Sequence, residues 1–222
     1  MSNPQLWKSP LADRSVKPAR PARPRDSEIV ESIERATPTD AAIPKVGNAL
    51  EAPSASVPDW GREACARFSW SPSRQLLRSL RDYARAREHS DPISTLQRKW
   101  AVLRHRFWSV VTGAEIPLNA ARISGGLMMP HPNGVVIHPE AVLGPNCLVF
   151  QQVTIGSGPR PGVPKLGGHV DVGPGAKILG GVTIGDNAII GANAVVVHDV
   201  PAGSVAVGVP AVARRNVRSV EG

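Results

Sequence analysis

Aromatic residues occupy only 4% of the 222 positions. A sandwich or an ordinary layered core leans on aromatic bulk, so this scarcity argues against one. Cysteine is scarcer still, with Cys65 and Cys147 alone. The N-terminus has no run of seven or more apolar residues, so no signal peptide is expected. The two cysteines therefore read as reduced thiols in a cytoplasmic protein. No stretch approaches the roughly 20 apolar residues of a membrane-spanning helix, and no membrane partner is expected. Acidic residues fall short of basic ones, 18 against 26. The deficit sits in residues 61–122, which carry twelve Lys/Arg against five Asp/Glu. That excess reads as a solvated helical face or as attraction for an anion. No base-reading motif accompanies it, so no nucleic-acid partner is expected.

The chain is rich in small and restricted residues, with 21 Gly and 22 Pro. Within residues 1–60, "KPARPARPRD" and "APSASVPDW" are Pro-, Ala- and Ser-rich without an apolar period. Such a segment buries too little surface to offset its ordering entropy, and a disordered tail is expected, with a short helix near Ile29–Ile33. Residues 61–115 read as α-helical. Leu76, Leu77, Leu80 and Tyr83 recur at helical spacing. A second helix is capped by Asp91, opened by Pro92 and closed by Gly113. Along it Ile93, Leu96, Trp100, Leu103, Phe107 and Val110 follow at steps of three or four, a pattern read as plain packing.

Over residues 116–213 the period becomes six. Aliphatic residues stand at Ile137, Leu143, Val149 and Ile155, then at Val172, Ile178, Ile184, Ile190 and Val196. Four positions after these come mostly small residues: Ala141, Cys147, Val153, Ala176, Val182, Ala188, Ala194 and Val200. A regular internal repeat outranks local propensity. Three short strands make one triangular coil of about eighteen residues, each aliphatic side chain stacking on its equivalent in the next coil. Gly or Asn at the turns tolerates a left-handed backbone. The expected fold is a left-handed parallel β-helix of about four coils, with residues 214–222 as a short tail. The 17-residue step from Ile155 to Val172 predicts that eleven residues of "SGPRPGVPKLGGH" leave the coil as a loop, where function tends to sit.

Six histidines offer chemistry. His89 and His105 fall in the helical segment and read as solvated or packed; His198, beside Asp199, reads as exposed decoration. His131 lies in "MMPHPNGVVIHP", where the register slips before the regular coils, and His169 ends the predicted loop. Imidazole suits a base that takes a proton from an attacking hydroxyl, and Gly-rich corners offer N–H donors to a tetrahedral intermediate. A zinc site is not expected: His131 and His138 are the only close pair, and no histidine lies just after His169. Neither a P-loop nor a serine nucleophile elbow is present.

The stretches "IPLNAARISGGLMMPHPNGVVIHPEAVLGPNCLVFQQVTIG" and "GGHVDVGPGAKILGGVTIGDNAIIGANAVVVHDVPAGSVAVGVPA" resemble the serine acetyltransferase family of hexapeptide-repeat acyltransferases. The resemblance covers roughly residues 116–213. It implies acetyl-CoA as co-substrate, no permanently bound cofactor, L-serine as acceptor and O-acetylserine for cysteine biosynthesis as product. It also implies a homotrimer with sites between neighbouring β-helices; the helical segment is short for the family's hexamer-forming domain, so a trimer is expected over a dimer of trimers. His131 matches the family's catalytic histidine and His169 its second active-site histidine. CoA contacts are implied around Gly156, Gly175 and Ala176, with Lys165, Arg214 and Arg215 meeting its phosphates. Pro130 stands where the family usually has Asp. The chain ends in "RSVEG", not in the Ile by which many relatives dock into cysteine synthase, so that complex is not predicted. A sugar or polysaccharide hydroxyl is the alternative acceptor, and a non-catalytic scaffold is the alternative outside enzymes.

Overall fold

The computed structural model describes residues 53–66, 69–118 and 122–215, all within one compact unit, Glu51–Gly222. The helix expected near Ile29–Ile33, the rest of the tail through residue 52 and the segment after residue 215 lie outside the described residues.

Two helices lead into the coils. Helix α1, Pro72–Arg87, buries Leu76, Leu77 and Leu80. Helix α2, Pro92–Thr112, begins where the Asp91 carboxylate accepts from the Ser94 N–H, and ends at Gly113 with φ 65°. The caps fall where the sequence places them. The apolar row of α2 does not pack as expected. Ala101, His105 and Thr112 are the buried residues of its C-terminal two thirds, while Ile93, Leu96, Trp100, Leu103, Phe107 and Val110 stay exposed. Small and polar residues let α2 lie close to α1, and the bulky row faces away.

The strands are two to five residues long. The first coil holds β1 (Val136–Ile137), β2 (Val142–Leu143) and β3 (Leu148–Val149). The second holds β4 (Thr154–Gly156), β5 (Lys165–Leu166) and β6 (Asp171–Val172). The third holds β7 (Lys177–Leu179), β8 (Thr183–Ile184) and β9 (Ile189–Ile190). The last holds β10 (Val195–Val196) and β11 (Ser204–Gly208), and β12 (Ala211–Arg215) folds back on β11 antiparallel. Every other pairing is parallel, giving three faces ordered β1-β4-β7-β10, β2-β5-β8 and β12-β11-β9-β6-β3. The fold is a left-handed β-helix. Bridges Glu115–Val136, Ile123–Leu143 and Met128–Leu148 form an incomplete leading coil.

The aliphatic positions stack in register: Ile137, Ile155, Ile178 and Val196 on one face, Val149, Val172, Ile190 and Ala206 on another. The third stack is Leu143, Leu166 and Ile184. Leu166 corrects the expected loop. It takes the inward position six residues before Val172 and is 3% exposed, so the coil is rejoined at β5 and the insertion after β4 is five residues. Full burial of each such side chain is worth about 1.5–3 kcal/mol, which is why these strands hold without aromatics.

Two corners carry ladders of left-handed residues. One runs Gly113, Gly134, Gln152, Gly175 and Asn193; the other runs Gly126, Asn146, His169, Asn187 and Gly203. From Gly134 on one corner and Asn146 on the other, each rung donates its N–H to a carbonyl one coil earlier, as in Gln152 to Asn133 and His169 to Pro145.

Residues 53–60, expected within the disordered tail, form a strap on the second ladder. Buried Asn146 accepts at Oδ1 from the Asp59 N–H (2.8 Å) and donates from Nδ2 to Ser54 O (2.7 Å) and Val57 O (2.8 Å). The backbone passes so close that a Cβ at Gly168 would stand 1.7 Å from Ala55 O. Arg81 then ties α1 to strap and coil: it pairs with Glu63 at 2.9 Å and donates to Ile123 O and Ser124 O. Glu63 in turn accepts from the Leu127 N–H. Part of the basic excess is thus engaged within the chain, since half-buried Arg62 and Arg78 and exposed Arg74 also donate to backbone carbonyls. Among the described residues no helix is long and apolar enough to cross a membrane.

Candidate active site

His131 projects from the leading coil at the first corner. Relative to the next coil, the segment between Met129 and Gly134 is two residues longer than that between Val149 and Gln152. The extra length bulges outward, flanked by Pro130 and Pro132, and leaves His131 exposed. The bulge is pinned behind it: Gly134 donates to Gly113 O, Val135 to Pro132 O, and Gln152 Nε2 to Asn133 Oδ1 (2.9 Å). A side chain on a bulge held in this way keeps its position while remaining open to solvent.

Gln151 lies one coil from His131 at the same corner, and its Oε1 is buried with no hydrogen-bond partner. Lys177, on the adjoining face, donates to Gln152 O (2.6 Å) and Thr154 Oγ1 (3.1 Å). Neither residue stood out in the sequence, because nothing in a hexapeptide repeat marks which outward positions lie beside the slipped register.

His169 occupies a different corner. Its φ of 52° and its Nδ1 contact with Asn187 Oδ1 at 2.9 Å make it a rung of the second ladder, between Asn146 and Asn187. Asp171, two residues on, is half-buried; burial raises its carboxyl above the usual range, against the pull of His169 and Arg62. Asp171 was also missed, since it falls at an ordinary outward strand position.

The remaining site residues are dispersed. Gly156 ends β4, and its carbonyl accepts from Gly180. Lys165 is the exposed first residue of β5. Gly175 is a rung of the His131 corner, with φ 74° and its N–H donated to Gln151 O. Ala176 is fully buried, its N–H donates to Gly173 O and its carbonyl accepts from Thr154. Arg214 and Arg215 are exposed on β12, opposite Val205 and Ser204. The N–H groups of Gly134 and Gly175 are already engaged along the corner, so these glycines are not the free donors that the sequence led one to expect. One chain therefore groups His131 with Gly175 and Gln151, and keeps His169, Lys165 and the β12 arginines apart from them.

Of the other histidines, His105 is buried, with Nε2 at 3.0 Å from Ile116 O and Nδ1 at 3.2 Å from Ser79 Oγ; burial lowers its pKa. His138 Nδ1 accepts from the Glu140 N–H, and His198 is exposed beside Asp199, which pairs with Arg160 at 2.8 Å. Among the described residues no three His, Cys, Asp or Glu side chains are grouped to hold a metal ion.

Comparison with known proteins bears on this geometry. Residues 164–198 match the family model "Bacterial transferase hexapeptide (six repeats)". A serine acetyltransferase of Synechococcus elongatus is 44% identical over 104 residues, 46% of this chain and 42% of that protein. A soybean serine acetyltransferase solved with serine superposes with a TM-score of 0.55 at 33% identity, covering 65% of this chain and 58% of that one. A serine acetyltransferase in complex with CoA gives 0.53 at 30% identity, covering 65% and 58%. The chain spans about half the length of the curated relatives it matches. Residues 164–198 thus resemble the repeats of bacterial hexapeptide transferases, and over the β-helix the chain is similar to the serine acetyltransferases.

Proposed function

We propose that the protein is a serine O-acetyltransferase that moves an acetyl group from acetyl-CoA to L-serine, forming O-acetylserine for cysteine biosynthesis. One observation carries the reading: the histidine-bearing bulge sits on a β-helix 44% identical over 104 residues to a serine acetyltransferase. His131 takes the proton of the serine hydroxyl as the oxygen attacks the thioester carbonyl. The tetrahedral intermediate then collapses, the C–S bond breaks, and the CoA sulfur leaves and takes up a proton. No acyl-enzyme forms; the rate comes from positioning and base catalysis.

The assembly in this reading is a homotrimer acting in the cytoplasm. Its support is the dispersal of the site residues, because corners that lie apart in one chain meet when β-helices stand side by side. His169 of one chain would then help hold the acceptor beside His131 of the next. CoA would lie along the groove near Gly156 and Gly175, with Lys165, Arg214 and Arg215 free to meet its phosphates. Ala176 is fully buried with its polar groups engaged, so its part there is to support the backbone beside Gly175.

A sugar hydroxyl is the second reading, favoured by one observation: the neighbours of His131 in the bulge are Pro130 and Pro132, which offer no charge to an amino-acid ammonium group. Thiol release from acetyl-CoA, measured with L-serine and with a panel of sugars, separates the two. Serine-dependent release above hydrolysis supports the first reading; release with a sugar alone replaces it with the second; release with neither refutes both.

A further inference from the structure

Three guanidinium groups converge on one carboxylate between α1 and α2. Asp82 pairs with Arg85 Nη2 at 2.7 Å, with Arg104 Nη1 at 2.8 Å and with Arg78 Nε at 3.9 Å. The side chains of Arg78 and Arg104 are only 27% and 22% exposed. Asp82 balances one of the three charges, so positive charge is left over in a partly desolvated place, where like charges repel more strongly than in water. Arg78 and Arg85 engage further donors on Cys65 O and Arg81 O. Arg104 does not: its Nη2 is buried and meets no acceptor among the described residues. A buried donor on a charged group is costly to leave unmet, so a cluster that served stability alone would end it on a carbonyl. The same residues line a cleft of about 870 Å³, within the ~300–1,000 Å³ of small-molecule sites. Buried Ala86 and Ala101 form its floor, and their small side chains leave the room. Trp100, one turn before Arg104 on α2, lines it too and is 59% exposed. The second acid of the lining is Glu88, exposed to solvent just after α1.

We propose that this cleft binds a phosphorylated small molecule carrying a flat aromatic ring, the class to which nucleotides belong. A phosphate monoester carries about two negative charges, which matches the positive charge that Asp82 leaves unbalanced. Guanidinium forks fit its oxygens in pairs. Turning Arg104 toward the cleft gives Nη2 the acceptor it lacks. Trp100 offers a ring face at the same place, and stacking on it favours a flat ring over an aliphatic chain. The fields of the exposed Glu88 and of solvent-facing Arg85 are screened by water, so the inner pair, Arg78 and Arg104, sets the preference for an anion. The cleft lies wholly within α1, α2 and the turn between them, whereas Lys165, Arg214 and Arg215 stand on β5 and β12. Its occupant therefore binds beside acetyl-CoA and not in its place. The site also gives a use to the basic excess of residues 61–122 that the internal contacts leave over.

Calorimetric titration of the full chain with adenosine 5′-phosphate, uridine 5′-phosphate and ribose 5-phosphate tests this. At least one of the two nucleotides should bind once per chain, about tenfold or more tighter than ribose 5-phosphate. Saturating CoA should leave that affinity unchanged. Trp100→Leu should bring the nucleotide down to the level of ribose 5-phosphate without changing the latter. Arg104→Gln should weaken nucleotide and sugar phosphate alike by about tenfold or more. Because that variant also loosens Asp82, Arg104→Lys serves beside it: it keeps a charge for Asp82 and lacks the fork, so it should hold the wild-type melting temperature and still bind weakly. Binding of neither nucleotide would overturn the proposal. So would displacement of the nucleotide by CoA, which would put it in the CoA groove. Equal affinities for nucleotide and ribose 5-phosphate, or wild-type affinity in Arg104→Lys, would overturn it as well.

Discussion

Replacing Asn146 tests how the strap is held. This side chain is wholly buried, its φ is 62°, and it makes three hydrogen bonds to the backbone of residues 54–59. Asn146→Gly keeps the left-handed rung, as Gly126 and Gly203 do at the same corner, and removes only the bonds. At a net ~0.5–1.5 kcal/mol each, the three sum to about 3 kcal/mol. Asn146→Ala adds the left-handed penalty of a non-glycine residue, about 1–2 kcal/mol. The loss has a ceiling, because the strap can lift, rehydrate its carbonyls and give up the contact of Trp60 with Gly125. For a domain of this size the expected fall in melting temperature is roughly 10 °C. Denaturant unfolding of the full chain measures it, and limited proteolysis within residues 53–60 reports whether the strap has lifted. Truncation after residue 52 should cost little, whereas truncation after residue 60 should reproduce the Asn146→Gly loss. Both variants within about 1 kcal/mol of wild type, with the strap still protected, would refute the reasoning.

Removing the proposed base, His131→Ala, should lower acetyl transfer by about 10²–10⁴-fold while CoA binding and the melting temperature stay unchanged; steady-state kinetics with calorimetry checks both. If neighbouring chains share a site, mixed assemblies of His131→Ala and His169→Ala chains should regain activity that neither has alone, and no recovery on mixing would place His169 outside the site. His105 supplies a pH signature. Burial holds its folded-state pKa below the unfolded value, so its contribution to stability is full above about pH 6.5 and is lost as pH falls from there. Melting temperature should therefore drop more steeply between pH 7 and 5 in wild type than in His105→Gln. Burial also pushes the Cys147 thiol up to about 11, leaving a thiolate fraction on the order of 10⁻³ at pH 8. A thiol reagent should then label part-exposed Cys65 first and reach Cys147 only on unfolding.

The coil register was legible because a β-helix repeats one packing problem. Ile137, Leu143 and Val149 each fill the same inward site, so their chemistry recurs at a fixed step. Leu166 was lost because a five-residue insertion shifted it off that step, and a period count cannot distinguish one longer loop from a shorter loop followed by a resumed coil. The strap was illegible for a different reason. Residues 53–60 carry no apolar period; three of the bonds that hold them come from one buried amide, Asn146, whose side chain looks in sequence like another corner asparagine. Its partners lie between 87 and 92 residues away, and no local pattern encodes contacts of that range.

The site divides along the same line. His131 stood out in the sequence as a histidine in a register slip, and the structure leaves it exposed on a pinned bulge, which is where the proposal takes it up. His169 stood out by its place after the insertion, yet the backbone there needs a residue that tolerates φ 52°, and the flanking coils meet that need with asparagine. A functional and a conformational demand can fall on one position, and a single sequence shows only that the position is unusual. The α2 row follows the same logic. Its spacing was read as packing within the chain, whereas Ala101 and His105 already occupy the packed side of the helix. Apolar spacing reports that a helix face is to be covered. What covers it depends on the small residues opposite, which decide whether the helix can turn that face inward at all.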